Sequence, residues 1–380
     1  MTFFAKKQAI RTAKGQNRSL RNIDQLHRSH TEFVNCSSND YLGIAATPTY
    51  SAAFFKQATT DDLRLSAVSS RLLTGHTDQG EQLEHVLAEL YDRPAALSFV
   101  SGYHANSGII PAITDKQTLI LADKLVHASI IEGIQLSRAT TIRFRHNDLL
   151  QVKLLLAKHA PNFERILLIT ESIFSMDGDS APLKEYVALK CDYPHLALYI
   201  DEAHSVGLYG SKGLGLAEEW GIIDQIDYLV GTMGKALASS GAYIVCENAV
   251  KDHLINTCRT FIYTTAPAPI NQAWSTFVLQ QLASMQTQRD HLQQISLRVR
   301  NFLLQKNKPT QSISQIIPIH IGDNHECMEI ATKLQQQGIH VLPVRPPTVP
   351  EGTARLRLSL CASLRNKDID TLLHALDQVL

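Results

Sequence analysis

Residues 231–241 read GTMGKALASSG, a stretch in which one lysine, Lys235, lies among small residues. Apolar runs at 228–230 and 242–246 flank it, and each is too short for a helix but suited to a buried strand. A lysine held between buried strands loses solvation, which lowers the pKa of its amine and makes it a nucleophile. Such an amine can form a Schiff base with a carbonyl compound. The stretch alone leaves open the alternative of a solvated lysine in a turn.

The composition predicts a globular protein of two or three domains, with 380 residues of which 44% are hydrophobic. Lys plus Arg and Asp plus Glu total 36 each, so the charge balance gives no sign of a nucleic-acid or membrane partner. The N-terminus lacks the apolar core of a signal peptide, and no apolar run approaches a membrane span. The six cysteines include no CxxC pair, so we expect reduced thiols, mostly buried, in a cytoplasmic protein with no metal site.

Strand-like and helix-like runs alternate through the middle of the chain. The predicted strands are 95–100, 118–121, 141–144, 166–169, 196–200, 229–230 and 242–245. Their apolar runs are continuous rather than alternating, which is typical of a mostly parallel sheet covered on both faces. We therefore predict a large α/β domain over residues 45–270.

The two ends of the chain are predicted to form separate parts. Residues 1–44 begin with a polar, basic segment and indicate an N-terminal helical arm. Residues 271–380 indicate a linking helix and a smaller α+β domain, with strands at 316–321, 339–344 and 354–360 and helices at 325–337 and from about 367. In the helix 325–337 one face carries Cys327, Ile330, Ala331 and Leu334.

Polar clusters follow several predicted strands, at the carboxyl ends where open α/β sheets bind ligands. The run SGYHAN at 101–106 opens a helix whose free N–H groups can bind phosphate, and Gly102 allows close approach. A plain strand-to-helix turn is the alternative there. His127 and the run SIFSMDGD at 172–179 also follow strands, although an isolated histidine is more often structural.

Asp201 follows the predicted strand 196–200, and His204 lies three residues later. An aspartate at a buried strand end is costly unless it meets a cation. A protonated pyridine nitrogen would be such a cation, as in pyridoxal phosphate sites.

Residues 201–204 also spell DEAH, which raises a nucleotide hydrolase as an alternative. That class needs GxxxxGK followed by Ser or Thr. At the pair Gly234-Lys235, Leu229 stands where the first glycine belongs and Ala236 where the hydroxyl residue belongs, so we reject the hydrolase.

Four motifs span nearly the whole chain: NDYLG at 39–43, FSMDGD at 174–179, DEAH at 201–204 and TMGK at 232–235. With them the chain resembles the α-oxoamine synthases, which are fold-type I enzymes dependent on pyridoxal phosphate. The resemblance implies this cofactor and a decarboxylative condensation of an amino acid with an acyl thioester. The tail RPPTVPEGTARLR at 345–357 is similar to that of members that join L-alanine to a pimeloyl thioester in biotin biosynthesis.

The resemblance also implies roles for the matching positions. Lys235 would hold the cofactor covalently and move protons at the substrate α-carbon. Asp201 would pair with the ring nitrogen, and His127 would stack on the ring. The implied catalytic residues are Lys235, His127, Asp201 and His204. The implied cofactor-binding residues are Gly102, Tyr103, His127, Ser175, Asp201, His204, Thr232, Lys235 and Thr264. The implied substrate-binding residues are Arg21, Asn39, His127, Arg345 and Thr348, with Arg345 as partner for the amino-acid carboxylate.

The resemblance further implies a homodimer, in which Thr264 reaches the neighbouring subunit's site. Two departures bear on acyl specificity: residues 66–71 read SAVSSR where the family is rich in glycine, and Gly80 replaces a usual histidine. Glycine C-acetyltransferase and 5-aminolevulinate synthase stay open as alternatives, as does a non-catalytic scaffold. The sequence does not distinguish coenzyme A from acyl carrier protein as the acyl carrier.

Overall fold

The computed structural model describes residues 2–29 and 33–380. The chain divides into two compact units. Unit 1 comprises Met1–Tyr41, Ser175–Asp179 and Asp290–Leu380, and unit 2 comprises Leu42–Phe174 and Ser180–Arg289. The domain bounds 1–44, 45–270 and 271–380 stay a prediction.

The strands of the described residues are β1 (Val34–Asn35), β2 (Ala95–Phe99), β3 (Thr118–Asp123), β4 (Thr140–Phe144), β5 (Arg165–Glu171), β6 (Leu196–Asp201), β7 (Tyr228–Thr232), β8 (Ala242–Cys246), β9 (Ile316–Gly322), β10 (Ile339–His340), β11 (Pro343–Val344) and β12 (Ala354–Ser359). The α-helices are α1 (Phe3–Ala13), α2 (Ile23–Ser29), α3 (Pro48–Gln57), α4 (Asp78–Tyr91), α5 (Gly102–Ala112), α6 (Ala128–Leu136), α7 (Leu149–His159), α8 (Leu183–Ala188), α9 (Leu216–Glu219), α10 (Asn248–Thr257), α11 (Arg259–Ile262), α12 (Pro269–Gln281), α13 (Gln286–Gln305), α14 (Asn324–Gln336) and α15 (Asn366–Asp377).

The sheet of unit 2 has the strand order β2-β8-β7-β6-β5-β3-β4. Its strands run parallel except β8, which is antiparallel to both of its neighbours. The predicted α/β class with a mostly parallel sheet is therefore confirmed. Six of the seven strands are buried almost throughout, whereas in β4 only Phe144 is buried. The expected cover on both faces is wrong for β4, because this strand lies at the edge of the sheet.

The carboxyl ends of the parallel strands position the candidate site. Strands β5 and β6 end side by side, with Glu171 paired to Asp201. Strand β7 pairs with β6 and ends at Thr232, three residues before Lys235. Because these ends lie at one edge of the sheet, residues that follow them in the sequence meet there.

Unit 1 contains a three-stranded antiparallel sheet, β11-β12-β9, and a short parallel pair, β1-β10. The four residues predicted for the inner face of α14 are buried, as expected: Cys327, Ile330, Ala331 and Leu334. The single strand predicted at 339–344 is wrong, since β10 and β11 are separate two-residue strands in different sheets. Pro343 begins β11 and has no N–H to continue a ladder, which limits strand pairing at that position.

All six cysteines are free thiols, and five of them are buried. Within residues 2–29 and 33–380 no helix is both long and apolar enough to cross a membrane.

Candidate active site

Lys235 lies in the connection between the antiparallel strands β7 and β8. The connection is closed by backbone hydrogen bonds, from the N–H of Met233 to the oxygen of Gly241 (3.0 Å) and from the N–H of Ser239 to the oxygen of Met233 (2.9 Å). The Nζ atom of Lys235 lies 2.9 Å from Nε2 of His204. Lys235 is thus half-buried and in contact with the histidine that the sequence predicted for the same site.

A glycine allows the His204 turn to pack against the Lys235 loop. Gly207 has a φ of +88°, and a Cβ built on it would lie 2.6 Å from the Cβ of Ala236. Real side chains do not approach so closely, and the positive φ is also unfavourable for any other residue. Gly207 therefore fixes the distance between the backbone after His204 and the backbone after Lys235.

Asp201 is a buried carboxylate, 5% exposed, at the end of β6. Its Oδ2 accepts a hydrogen bond from Nδ2 of Asn106 (2.8 Å), and its Oδ1 accepts one from the N–H of Ala203 (2.9 Å). Both donors are neutral, so they orient the carboxylate without neutralising its charge. A buried carboxylate of this kind is suited to a cationic ligand atom such as a protonated ring nitrogen.

Asn106 is itself held in one orientation. Its Oδ1 accepts a hydrogen bond from the hydroxyl of Tyr199 (2.6 Å), and its Nδ2 also donates to Oγ of Ser129 (3.0 Å). The amide nitrogen therefore faces Asp201 rather than the amide oxygen. Asn106 belongs to the run SGYHAN, but no sequence pattern indicates this role because Asp201 lies 95 residues away.

His127 caps the start of α6, where the N–H of Ser129 donates to its Nδ1 (3.3 Å) and Oγ of Ser129 lies 2.7 Å from the same atom. Burial lowers the pKa of His127, the charge of Asp201 raises it and the charge of Lys235 lowers it. His127 is also linked to Asp201 by hydrogen bonds, because Nδ2 of Asn106 donates both to Oγ of Ser129 (3.0 Å) and to Oδ2 of Asp201 (2.8 Å). The structure thus brings together His127, Asp201, His204 and Lys235 in unit 2.

The start of α5 lies beside Thr232. Oγ of Ser101 caps this helix by accepting from the N–H of His104 (3.2 Å). A Cβ built on Gly102 would meet only Oγ1 of Thr232, at 3.9 Å, so the side-chain position of Gly102 at the start of the helix is uncrowded. A helix N-terminus with a neighbouring hydroxyl is a suitable site for a phosphate group.

The two other predicted cofactor contacts in unit 2 are more exposed. Tyr103 is 44% exposed, and its hydroxyl donates to the carboxylate of Glu132. Thr264 is half-buried and follows α11.

These residues fit pyridoxal phosphate. Lys235 offers an amine for the aldehyde of the cofactor, and Asp201 offers the ring nitrogen a carboxylate whose hydrogen-bond donors are all neutral. The start of α5 offers backbone N–H groups for the phosphate. The buried carboxyl of Glu171 adds an oxygen, Oε1, that has no partner among the described residues.

The remaining predicted residues lie in unit 1, in two groups. In the first, Arg357 donates from Nε to the backbone oxygen of Ser175 (2.6 Å), and its Nη1 lies 3.5 Å from Oδ1 of Asn39. Arg357 contacts both of these predicted site residues, and no role was predicted for it from the sequence. The signal that could have found it was the second arginine of the ARLR run at 354–357, which lies two residues before the end of β12 at Ser359.

The second group contains three arginines of unit 1. Arg18 donates to Oγ1 of Thr348 (2.6 Å), Arg21 donates to Oε1 of Gln335 (2.6 Å), and Arg345 donates to the backbone oxygens of Gly15 and Asn17. Burial lowers the pKa of Arg345, and the charges of Arg18 and Arg21 lower it further. Three guanidinium groups within reach of one another favour an anionic ligand.

Comparison with known proteins identifies the family. Residues 31–376 match the family described as aminotransferase class I and II. The chain is 45% identical to 8-amino-7-oxononanoate synthase of Haemophilus ducreyi, over 99% of this chain and 100% of that protein. The chain belongs to the 8-amino-7-oxononanoate synthase family.

Solved structures agree with this family. 8-Amino-7-oxononanoate synthase from Francisella tularensis is 28% identical, with a TM-score of 0.75, over 92% of this chain and 97% of that chain. A serine palmitoyltransferase from S. paucimobilis, solved with bound PLP and myriocin, is also 28% identical, with a TM-score of 0.86, over 91% of this chain and 87% of that chain.

Several predictions are confirmed by membership of the 8-amino-7-oxononanoate synthase family. The chain is an enzyme, it is a fold-type I transferase, and its cofactor is pyridoxal phosphate. The roles of individual site residues stay predictions.

Proposed function

We propose that this chain condenses L-alanine with a pimeloyl thioester. The α-proton of alanine is removed, a carbon–carbon bond forms to the thioester carbonyl, and the thiol leaves. The carboxyl group of alanine then leaves as carbon dioxide and a proton takes its place, giving 8-amino-7-oxononanoate. The observation that carries the proposal is the buried group in which Nζ of Lys235 lies 2.9 Å from His204, in a chain 45% identical to a synthase of this name.

Asp201 would pair with the ring nitrogen of the cofactor. When bound, pyridoxal phosphate supplies a ring that withdraws electrons from the α-carbon of the amino acid. The Asp201 carboxylate would keep a proton on the ring nitrogen, because burial strengthens the attraction between the two charges. Asn106 and the N–H of Ala203 hold this carboxylate in place without competing for its charge.

Lys235 would bind the cofactor covalently and then serve as the acid and base of the reaction. Its Nζ would take the α-proton of alanine and would return a proton after carbon dioxide has left. The neighbouring imidazole of His204 orients the amine at 2.9 Å. A neutral His204 would accept a hydrogen bond from the amine and keep it directed to one side.

His127 would cover the face of the cofactor ring. Burial lowers its pKa, which favours an uncharged imidazole. The bond between Nδ1 and the Ser129 N–H fixes the ring plane. Gly102, Tyr103, Thr232 and Thr264 would bind the phosphate group, with the first N–H groups of α5 as donors.

The arginines of unit 1 are candidates for the two carboxylates of the substrates. Arg345 stays the predicted partner of the alanine carboxylate, and Arg357 is the second candidate because it contacts Asn39 and Ser175. Separate Arg→Lys variants can decide between them, since lysine keeps the charge but loses the bidentate geometry. The variant at the correct position should raise KM for alanine, and the other should leave it close to that of the parent.

A homodimer with shared sites is part of the proposal. An apolar segment of unit 2 is exposed, with Leu65, Val68 and Leu73 at 80%, 85% and 78%, and Tyr263 beside Thr264 is 73% exposed. Apolar residues so exposed in one segment are typical of a surface that another chain covers. A second copy of this chain is the proposed partner, and the cytoplasm is the proposed location.

Steady-state kinetics with four substrate pairs test the function: alanine or glycine with pimeloyl or acetyl thioester. One methyl group in a pocket is worth about 1–3 kcal/mol, so alanine should be preferred by roughly 10-fold or more. Each methylene of a longer acyl chain adds about 0.8 kcal/mol on burial, so the acetyl thioester should be far poorer. Comparing coenzyme A with acyl carrier protein as the thiol identifies the carrier. Highest kcat/KM for glycine with acetyl-CoA would instead indicate a glycine C-acetyltransferase.

A further inference from the structure

A second carboxyl group lies beside Asp201. Strands β5 and β6 are parallel neighbours, and Glu171 is the registered partner of Asp201. Registered partners direct their side chains to the same face of the sheet, on backbones about 4.8 Å apart. Glu171 is 3% exposed and Asp201 is 5% exposed. Two carboxyl groups are therefore buried side by side at the edge where the cofactor would bind.

The hydrogen bonds of the two groups differ. Both oxygens of Asp201 accept from neutral donors. The backbone N–H of His127 lowers the pKa of Glu171, while Oε1 of Glu171 is buried and has no partner in the part of the chain that the structure describes. A buried oxygen without a donor costs a charged carboxylate more free energy than it costs a neutral, protonated carboxyl.

We propose that Glu171 carries the proton of this carboxyl pair, so that Asp201 is its single negative charge, and that Glu171 is a positioning residue for Asp201 and His127. One negative charge then faces the one proton of the ring nitrogen. The backbone N–H of His127 would be held by the carboxyl of Glu171, with which it interacts. The inference rests on the role proposed for Asp201.

The charges around Glu171 support this assignment. Burial raises its pKa most, and the charges of Asp201 and Asp123 raise it further. The charge of Lys235 and the N–H of His127 lower it, but the result is a pKa well above the ordinary value. Asp123 lies 3.0 Å from His146, which reduces its effect when that histidine is protonated.

Glu202, the residue after Asp201, does not share this proton. It accepts from Oγ of Ser172 (2.9 Å) and from the N–H groups of Leu216 (3.1 Å) and Ala217 (2.8 Å). Its oxygens therefore have donors of their own.

The first experiment uses the apoprotein, so it does not depend on cofactor, substrate or activity. In the unfolded chain Glu171 ionises near 4.5, whereas in the folded chain it stays protonated to a higher pH. Its contribution to stability is therefore complete below about 4.5 and is lost as pH rises toward the folded pKa. Glutamine does not ionise, so Glu171→Gln has no such loss of stability. The Tm of the variant minus the Tm of the parent should therefore increase between about pH 5 and pH 8. A Tm difference that does not change with pH would overturn the proposal.

A matched control comes from another buried glutamate. Glu84 is 4% exposed, but it is paired with Arg71 and with Lys251 (3.0 Å), which hold its pKa below the ordinary value. Glu84→Gln should therefore lower Tm relative to the parent, increasingly as pH rises through about 4.5. The two isosteric changes are expected to have opposite signs. The difference between the infrared spectra of the parent and of Glu171→Gln should contain the band of a protonated carboxyl, whereas the band of Glu202, whose pKa burial raises to about 7, is common to both proteins and cancels. A difference spectrum without such a band would contradict the proposal.

The second experiment separates positioning from packing. Glu171→Gln keeps an acceptor for the His127 N–H and is neutral, so the Kd for pyridoxal phosphate and kcat/KM should stay within about threefold of the parent. Glu171→Leu is also neutral but has no acceptor, so it should weaken cofactor binding by about 10-fold. The absorbance spectrum of the bound cofactor across pH should be preserved in the Gln variant and altered in the Leu variant. Equal loss in both variants would mean that the site requires an ionised Glu171. If the chain proved inactive with alanine, the apoprotein and cofactor-binding results would still decide this inference.

Discussion

Asp201→Asn separates the charge of this residue from its shape. The carboxylate is 5% exposed and makes two hydrogen bonds, from Asn106 and from the N–H of Ala203. An amide has nearly the same shape, but it carries no charge and has one acceptor oxygen instead of two. The change therefore has two effects, and they can be measured separately.

The first effect is on stability. One of the two donors that face residue 201 must lose its acceptor, because Asn106 is held in its orientation by Tyr199 and Ser129. An unsatisfied buried donor costs about 1–3 kcal/mol, so the free energy of unfolding of the apoprotein should fall by that amount.

The second effect is on activity. Two opposite charges about 4 Å apart attract by about 4 kcal/mol at the effective dielectric constant of a protein site. Losing that attraction corresponds to roughly a 1,000-fold fall in kcat/KM. The assay is steady-state turnover with saturating cofactor, together with chemical denaturation of the apoprotein.

Asp227→Asn is the matched control. Asp227 accepts from Nζ of Lys190 (2.8 Å) and from the N–H of Leu198 (2.8 Å), and it directly precedes β7, at the end of that strand away from Thr232. This variant should lose stability but keep kcat/KM. If Asp201→Asn retained kcat/KM within about threefold, the charge of Asp201 would have no part in the reaction and the reasoning would be wrong.

Three further predictions concern other parts of the chain. Borohydride reduction of the holoenzyme followed by peptide mapping should place the cofactor label on Lys235, and a label on another lysine would contradict the assignment. Burial raises the pKa of Glu202 from 4.5 to about 7, so its contribution to stability is lost as pH rises across that interval. Glu202→Gln should therefore gain stability relative to the parent between about pH 5 and 7, and a constant difference by denaturation would count against this pKa. Sedimentation should give a homodimer, and Leu73→Arg in the exposed segment should shift it toward monomer with loss of activity, whereas a fully active monomer would argue against shared sites.

The sheet of unit 2 could be predicted because its strands are uninterrupted apolar runs. Each predicted strand from 95–100 to 242–245 has a counterpart in β2 to β8. The order and direction of the strands in the sheet could not be predicted from these apolar runs. The antiparallel direction of β8 and the edge position of β4 depend on contacts between residues that are distant in the sequence.

Contacts between residues that are distant in the sequence also limited the prediction of the site. The residues predicted to have chemical function, Lys235, Asp201 and His204, were selected because they follow predicted strands, and in the structure Asp201 ends β6, His204 follows it and Lys235 follows β7. Glu171 was missed because the predicted strand ended at residue 169, two residues before the carboxyl that ends β5. Asn106 was missed because an asparagine in a helix has no distinctive pattern until its partner Asp201 is known.

Because β7 pairs with β8, we expect the loop that carries Lys235 to open rarely. The chain leaves the sheet at Thr232 and returns to it at Ala242, and these two residues are registered partners. Both strands are buried throughout. Opening the loop therefore requires two interior strands to separate, rather than one mobile segment to swing away. We expect the amide hydrogens of Met233 and Ser239 to exchange with deuterium at the slow rate of the sheet interior, although they lie in a connection between strands.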